Sequence, residues 1–268
     1  MTGDVGVLAS NGCHIFNGCG FPAPGLQSFD WKPFFTIGSF GFTKPMLLAI
    51  LSALVVIVFF GVAFWKPKLV PRGVQNIGAM AILAVRDQIL RPSLGRRGDS
   101  YLPFLVSLFF FIYIMNLMEL IPLFQFPVTS RIGFVWPLVF IVYFLYLYLG
   151  VKHQGAWGYL RNMIPAGVPW PIYIILVPVE LLRFFVFQPF TLGVRLFGNM
   201  FAGHLLLTIF TIASWYLLTL SIGLLYAVGS FALAIFVFLL EILVTLLQAF
   251  IFTTLTATYI ASSVEPAH

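Results

Sequence analysis

Between Ile172 and Val264 the chain reads IYIILVPVELLRFFVFQPFTLGVRLFGNMFAGHLLLTIFTIASWYLLTLSIGLLYAVGSFALAIFVFLLEILVTLLQAFIFTTLTATYIASSV, and its only charged residues are Glu180, Arg183, Arg195 and Glu241. As continuous helix this stretch would be about 140 Å long at 1.5 Å per residue. That is far more than two upright crossings of a hydrocarbon layer about 30 Å thick. The stretch reads either as three or four short spans or as two long, strongly tilted helices. A break near Trp215–Gly223 suits both readings.

The rest of the chain has the same character. Of its 268 residues, 61% are hydrophobic and 8% charged, and Phe alone occurs 31 times. A soluble domain carries about 25% charged residues, so this chain lacks the polar groups to cover a surface in water. The composition makes it a polytopic membrane protein. The net charge of +6 would otherwise raise nucleic-acid binding, but no basic stripe interleaved with stacking aromatics is present.

Upstream, a first span covers Met46 to Trp65, followed by Lys66, Lys68 and Arg72. Gly73 to Leu94 has apolar residues at helical spacing, with Gln75, Arg86, Asp87 and Gln88 among them. It reads as an amphipathic helix at the interface or as the foot of the next span. A second span covers Tyr101 to Phe124 and contains Asn116 and Glu119; a third covers Phe134 to Gly150. Seven Lys and Arg lie between the first two spans, only Arg131 lies between the second and third, and Lys152 and Arg161 follow the third. The excess of basic residues places the first and third loops in the cytoplasm and the N-terminus outside. No internal repeat appears, so residues 46–268 read as one membrane domain after a tail of residues 1–45.

That tail has no basic n-region followed by an apolar core and does not read as a cleaved signal peptide. It holds both cysteines, Cys13 and Cys19, with His14 beside the first. The set is too small for a metal site. In an external tail the two thiols either close a small disulfide loop or stay free.

An ionisable side chain at membrane depth is costly enough to be a functional candidate by default. Glu119, Glu180, Arg195, His204 and Glu241 qualify, accompanied by the polar neutrals Asn116, Asn199 and Gln248. Arg195 stays protonated at physiological pH, so it cannot relay a proton by losing its own. It can hold a fixed positive charge against a carboxylate that comes and goes. The plainer alternative is a structural ion pair with Glu180 or Glu241. His204 and Glu241 both titrate and would exchange protons if their helices pack together. Glu241, Thr245 and Gln248 share one helical face, as do Asn116 and Glu119. Such stripes line a watery half-channel or serve as hydrogen-bond glue between helices. No phosphate-binding Gly-rich loop, nucleophile set or metal-ligand cluster is visible, so no cofactor and no direct ATP binding are expected.

Three ordered segments carry a resemblance. QPFTLGVRLFGNMFAGH at Gln188 to His204, LLQAFIFTTLT at Leu246 to Thr256 and NLMELIP at Asn116 to Pro122 are similar to subunit a of F-type ATP synthases. The resemblance implies an all-α integral membrane protein of about five transmembrane helices plus an interfacial helix. In that family the last two helices are long and tilted. It implies that Arg195 is the proton-gating residue facing the carboxylates of the c-ring. It also implies that Asn116, Glu119, Asn199, His204, Glu241 and Gln248 lie along the proton path. Many members carry an acid where this chain has His204 and a His where it has Glu241, so the pair stands here in swapped places. Glu180 resembles the acid of the cytoplasmic exit path, fifteen residues before Arg195 and one off the expected spacing. The implied partners are the c-ring, the subunit b peripheral stalk, the rest of the F1Fo complex and the lipid bilayer. A proton-coupled secondary transporter is the alternative, but it predicts an internal repeat. A structural scaffold predicts that Arg195 and Glu241 tolerate neutral replacement.

Overall fold

The computed structural model describes residue 21 and residues 35–37, 40–68, 70–121, 124–155, 157–159, 170–218 and 222–264. Cys13 and Cys19 lie outside the described residues, as do Arg161 and most of the tail. Near the start, β1 (Phe35–Ile37) pairs antiparallel with β2 (Phe40–Phe42), Phe35 opposite Phe42. Among the described residues, everything regular after that is helix.

The first helix, α1 (Lys44–Ala63), opens at Thr43, whose carbonyl accepts the amides of Met46 and Leu47, with Pro45 inside the first turn where its missing N–H is no loss. It ends before Lys66 and Lys68. Gly73, at φ 59, then turns the chain into α2 (Val74–Val85). The Gln75 side chain closes this turn by exchanging two hydrogen bonds with the Lys68 backbone. A wider π turn (Arg86–Leu90) and α3 (Arg91–Leu94) continue the segment. Helix therefore covers the whole stretch read as amphipathic. It buries Val85, Ile89, Leu90 and Leu94, while Arg91 pairs with Asp99 at 3.2 Å.

The second span is shorter than the apolar pattern suggests. α4 (Leu102–Leu117) stops before Glu119. The backbone tightens there, the amides of Glu119 and Leu120 bonding three residues back to Asn116 and Leu117. Pro122 follows Ile121, and a residue before proline is disfavoured in the helical region. Glu119 therefore sits in a turn at the end of the helix rather than inside a helix running to Phe124. The third span, α5 (Ile132–Gln154), runs longer than the apolar core alone and takes Lys152 and His153 into its last turn.

The long apolar stretch resolves into two helical runs rather than three or four short ones. α6 (Trp170–Leu182), a π turn (Arg183–Phe187) and α7 (Gln188–Tyr216) follow without interruption, and α8 (Ile222–Val264) follows the break. The membrane-crossing segments number five among the described residues, the last two of 45 and 42 residues. At 1.5 Å per residue each is about twice the hydrocarbon thickness, so each must tilt to stay in it.

The chain divides into two compact units. One holds Met1–Ala53, Met115–Arg131 and Gly198–Leu246; the other holds Leu54–Ile114, Ile132–Phe197 and Leu247–His268. In the first, Leu48, Met115, Phe126 and Met200 are buried; in the second, Leu105, Ile112, Val139, Leu196 and Ile260. Large apolar side chains also face outward, Ile175 and Leu225 at 72% exposure each. Such a surface suits lipid and would be unstable in water. Hydroxyls on α8 are mostly satisfied within the helix: Thr253 and Thr256 donate to the carbonyls of Ala249 and Phe252.

Candidate functional site: a gating arginine and a buried acid–histidine cluster

In the second unit, the periodicity of α7 fixes where Arg195 points. Leu192 and Leu196 are buried, and Gly193 lies so near α5 that an added Cβ would sit 3.3 Å from Val139. One side of α7 is thereby committed to packing. Arg195, between those residues, is nonetheless exposed, and so, in the first unit, is Asn199 four residues on. Arg195 makes no ion pair among the described residues. Glu180, one of its two structural partners in prospect, instead takes the guanidinium of Arg183 at 2.8 Å, one turn along the same helix. Gln248 is buried on α8.

In the first unit, four elements bring polar groups together. Asn116 comes from the end of α4, Glu119 from the turn beyond it, His204 from α7 and Glu241 from α8. Asn116 is fully buried and its Oδ1 accepts the Thr129 hydroxyl at 2.5 Å. Glu119 Oε1 lies 3.0 Å from His204 Nδ1, with one proton shared between them, and the edge of Phe126 closes over the imidazole. Glu241 is 5% exposed, and its carboxyl rests on the backbone of Gly203, the residue beside His204. Any Cβ at Gly203 would occupy the space of that carboxyl.

His204 thus has Glu119 as its hydrogen-bonding acid, with Glu241 next to the preceding residue. The sequence singled out His204 and Glu241 as a pair; packing gives His204 the carboxyl of Glu119 and sets Glu241 against Gly203. Four buried polar atoms here have no protein partner: Asn116 Nδ2, Glu119 Oε2, Glu241 Oε2 and Thr245 Oγ1. Unsatisfied buried groups are rare in native proteins, and a cluster of them around titratable side chains is where water and protons are accommodated. Among the described residues no three His, Cys, Asp or Glu side chains are grouped as a metal would require.

Gly203 and Thr129 are contributors that pattern reading does not single out. Gly203 had a faint signal, a small residue beside a titratable one in an apolar helix. Thr129 had none, because its bond to Asn116 closes a thirteen-residue loop.

The chain matches the family described as ATP synthase A chain over residues 46–261. It is 43% identical to ATP synthase subunit a of Streptomyces lividans over 262 residues, covering 96% of this chain and 92% of that one. It is 38% identical to the subunit a of Frankia alni over 250 residues, covering 91% and 86%. It is 37% identical to that of a Nocardioides species over 265 residues, covering 94% and 96%. Five long apolar helices, intramembrane charge and matches of this extent agree. The chain belongs to the ATP synthase A chain family, the multi-pass, proton-conducting subunit a of the bacterial membrane sector, which has no catalytic site of its own and works within the ATP synthase complex.

Proposed function

We propose that Arg195 separates two proton half-channels and meets the carboxylates of a rotating c-ring, one after another. The observation that carries this reading is an exposed arginine at mid-helix, in a crossing segment, without an ion-paired carboxylate among the described residues. A permanent cation there needs an anion, and one supplied by a moving partner meets that need only in passing. Glu180 is engaged by Arg183, and Glu241 rests on Gly203, which weakens the structural-pair reading.

Protons arrive from outside through the cluster of Asn116, Glu119, His204 and Glu241, with Asn199 and Gln248 along the same route. They neutralise a c-ring carboxylate, which then tolerates lipid. After nearly a full turn the proton leaves toward the cytoplasm past Glu180, which pairs with Arg183. Arg195 holds the returning carboxylate in its charged form and blocks a direct leak. The driving force is about 2.3 kcal/mol per charge for each 100 mV. The tail of residues 1–45 lies outside and the C-terminus in the cytoplasm, following the basic loops. Subunit b of the peripheral stalk holds the assembly against the torque.

Passive proton flux and ATP synthesis in vesicles carrying Arg195→Ala test the reading. Lost synthesis with a proton leak through the assembled membrane sector is expected. Normal synthesis would reduce Arg195 to a structural residue. Lys is not an equivalent replacement, because its pKa falls readily on burial.

A further inference from the structure

Phe184 and Gly193 both lie against α5 in the second unit. The Phe184 ring stands edge-on to Tyr146 at 5.4 Å. A Cβ added at Gly193 would sit 3.3 Å from Val139 and 3.7 Å from Val135. Val135, Val139 and Tyr146 are all buried, and their spacing of four and seven residues puts them on one face of α5. That face is continuous, but the two residues that meet it are nine apart. Nine residues of regular α-helix, at about 100° each, turn through about 900° and leave Phe184 and Gly193 on opposite sides. A regular helix therefore cannot bring both to α5.

The π turn (Arg183–Phe187) removes the conflict. The Gln188 amide donates to the Arg183 carbonyl, five residues back instead of four. One extra residue is taken up there, so the nine count as eight and Phe184 and Gly193 come within about 80° of each other. Pro189 accounts for the place of the widening. It has no N–H, and in a regular helix its ring would strike the carbonyl of Phe185, four residues back. The other π turn (Arg86–Leu90) has the same form: the Arg91 amide donates to the Arg86 carbonyl, and Pro92 comes next. Arg195 is aimed by the same extra residue. In a regular helix it would stand about 20° from Phe184, on the side that packs against α5. With one residue taken up it stands about 80° from Phe184 and about 160° from Gly193, which agrees with its exposure.

We propose that the extra residue of this turn, held open by Pro189, keeps Arg195 turned away from α5, which makes Pro189 a positioning residue for the gating arginine. This rests on the gating role of Arg195 read above. A rotation of α7 by one residue, about 100°, moves each Cα by about 3.5 Å on a cylinder of radius about 2.3 Å. Misplacement of a reacting group by about 1 Å already lowers a rate on the order of 100-fold.

Three changes separate the residue count from the proline. Val186, half-exposed in the π turn, is deleted with Pro189 kept; it is deleted together with Pro189→Ala; or one alanine is inserted after it. ATP-driven pumping and passive proton flux are measured in vesicles per assembled complex, beside Arg195→Ala. Deletion alone forces the proline ring into a regular turn, and pumping should fall at least about tenfold. Deletion with Pro189→Ala gives one regular helix in which Phe184, Gly193 and Arg195 keep their facing. It should assemble, hold protons and restore pumping to within about twofold of wild type, a rescue that general damage to packing would not allow. The insertion turns Arg195 by about 100°, so it should pump about 100-fold more slowly and leak as Arg195→Ala does. Equal damage from the double change and the single deletion overturns the proposal, as does wild-type pumping by the insertion. If the insertion does not assemble, the rescue decides alone, its presence supporting the proposal and its absence overturning it. A leak in Arg195→Ala without the rescue rejects the positioning role and keeps the gating reading. No leak in Arg195→Ala rejects the gating reading itself.

Discussion

Gly203→Ala sets helix stability against proton flow. An alanine Cβ at this position meets Glu241 Oε1 first, then the rest of the carboxyl, closer than any real contact allows. What it meets is the far end of a flexible side chain, so α7 itself need not move. Alanine in place of glycine gains roughly 0.8–1.0 kcal/mol of intrinsic helix preference. Driving Glu241 into a poorer rotamer costs about 0.5–1.5 kcal/mol. The two nearly cancel, and the assembled complex should melt within about 1 kcal/mol of wild type. The carboxyl, however, is displaced from the Glu119–His204 pair. Misplacement of a reacting group by about 1 Å can lower a rate on the order of 100-fold. ATP-driven pumping, followed by quenching of a pH-sensitive dye in inverted vesicles, should therefore fall between about tenfold and 100-fold. Adding Glu241→Asp shortens the acid and makes room for the methyl, so the double variant should recover part of the flux. Such recovery is a coupling between contacting residues that a cycle of the two variants measures. Pumping by Gly203→Ala within about twofold of wild type would refute the argument that Glu241 works from the surface of α7.

Two further outcomes follow from the packing. Thr129→Val removes the hydroxyl that Asn116 Oδ1 accepts, leaving that fully buried amide unsatisfied at both ends. The complex should lose about 1–3 kcal/mol, read as a lower thermal midpoint at constant subunit content. Tyr159→Phe and Ser263→Ala should show a coupling of about 0.5–1.5 kcal/mol in a double-mutant cycle, while the Gln154 bond survives because it uses the Ser263 backbone. Burial raises the Tyr159 phenol above its ordinary range, with the Ser263 bond opposing it. The stability this shift carries is complete below the ordinary phenol value of about 10. It is lost as pH rises through the raised value, a loss that alkaline melts of wild type should show and those of Tyr159→Phe should lack.

Sequence by itself determined the membrane class, the first three crossing segments and the residues worth suspecting, and left open how many crossings follow Ile172. These are properties of local composition: twenty apolar residues in a row admit few outcomes in water or lipid, and each charge among them stands out against its neighbours. The break at Tyr216 and the amphipathic stretch after Gly73 were legible for the same reason. The end of α4 was less so, because the apolar run continues past it while the backbone does not. What only tertiary structure decided is who meets whom. Glu180 goes to Arg183 on its own helix, leaving Arg195 without an acid among the described residues. His204 meets Glu119 across 85 residues of sequence. Glu241 depends on the missing side chain of Gly203, and the hydroxyl of Tyr146 is stranded among rings contributed by α5 and α8. In an apolar helix nearly any face can be buried. The face that is buried is chosen by where small residues let helices approach and where polar groups find partners, and neither follows from the order of residues along one helix.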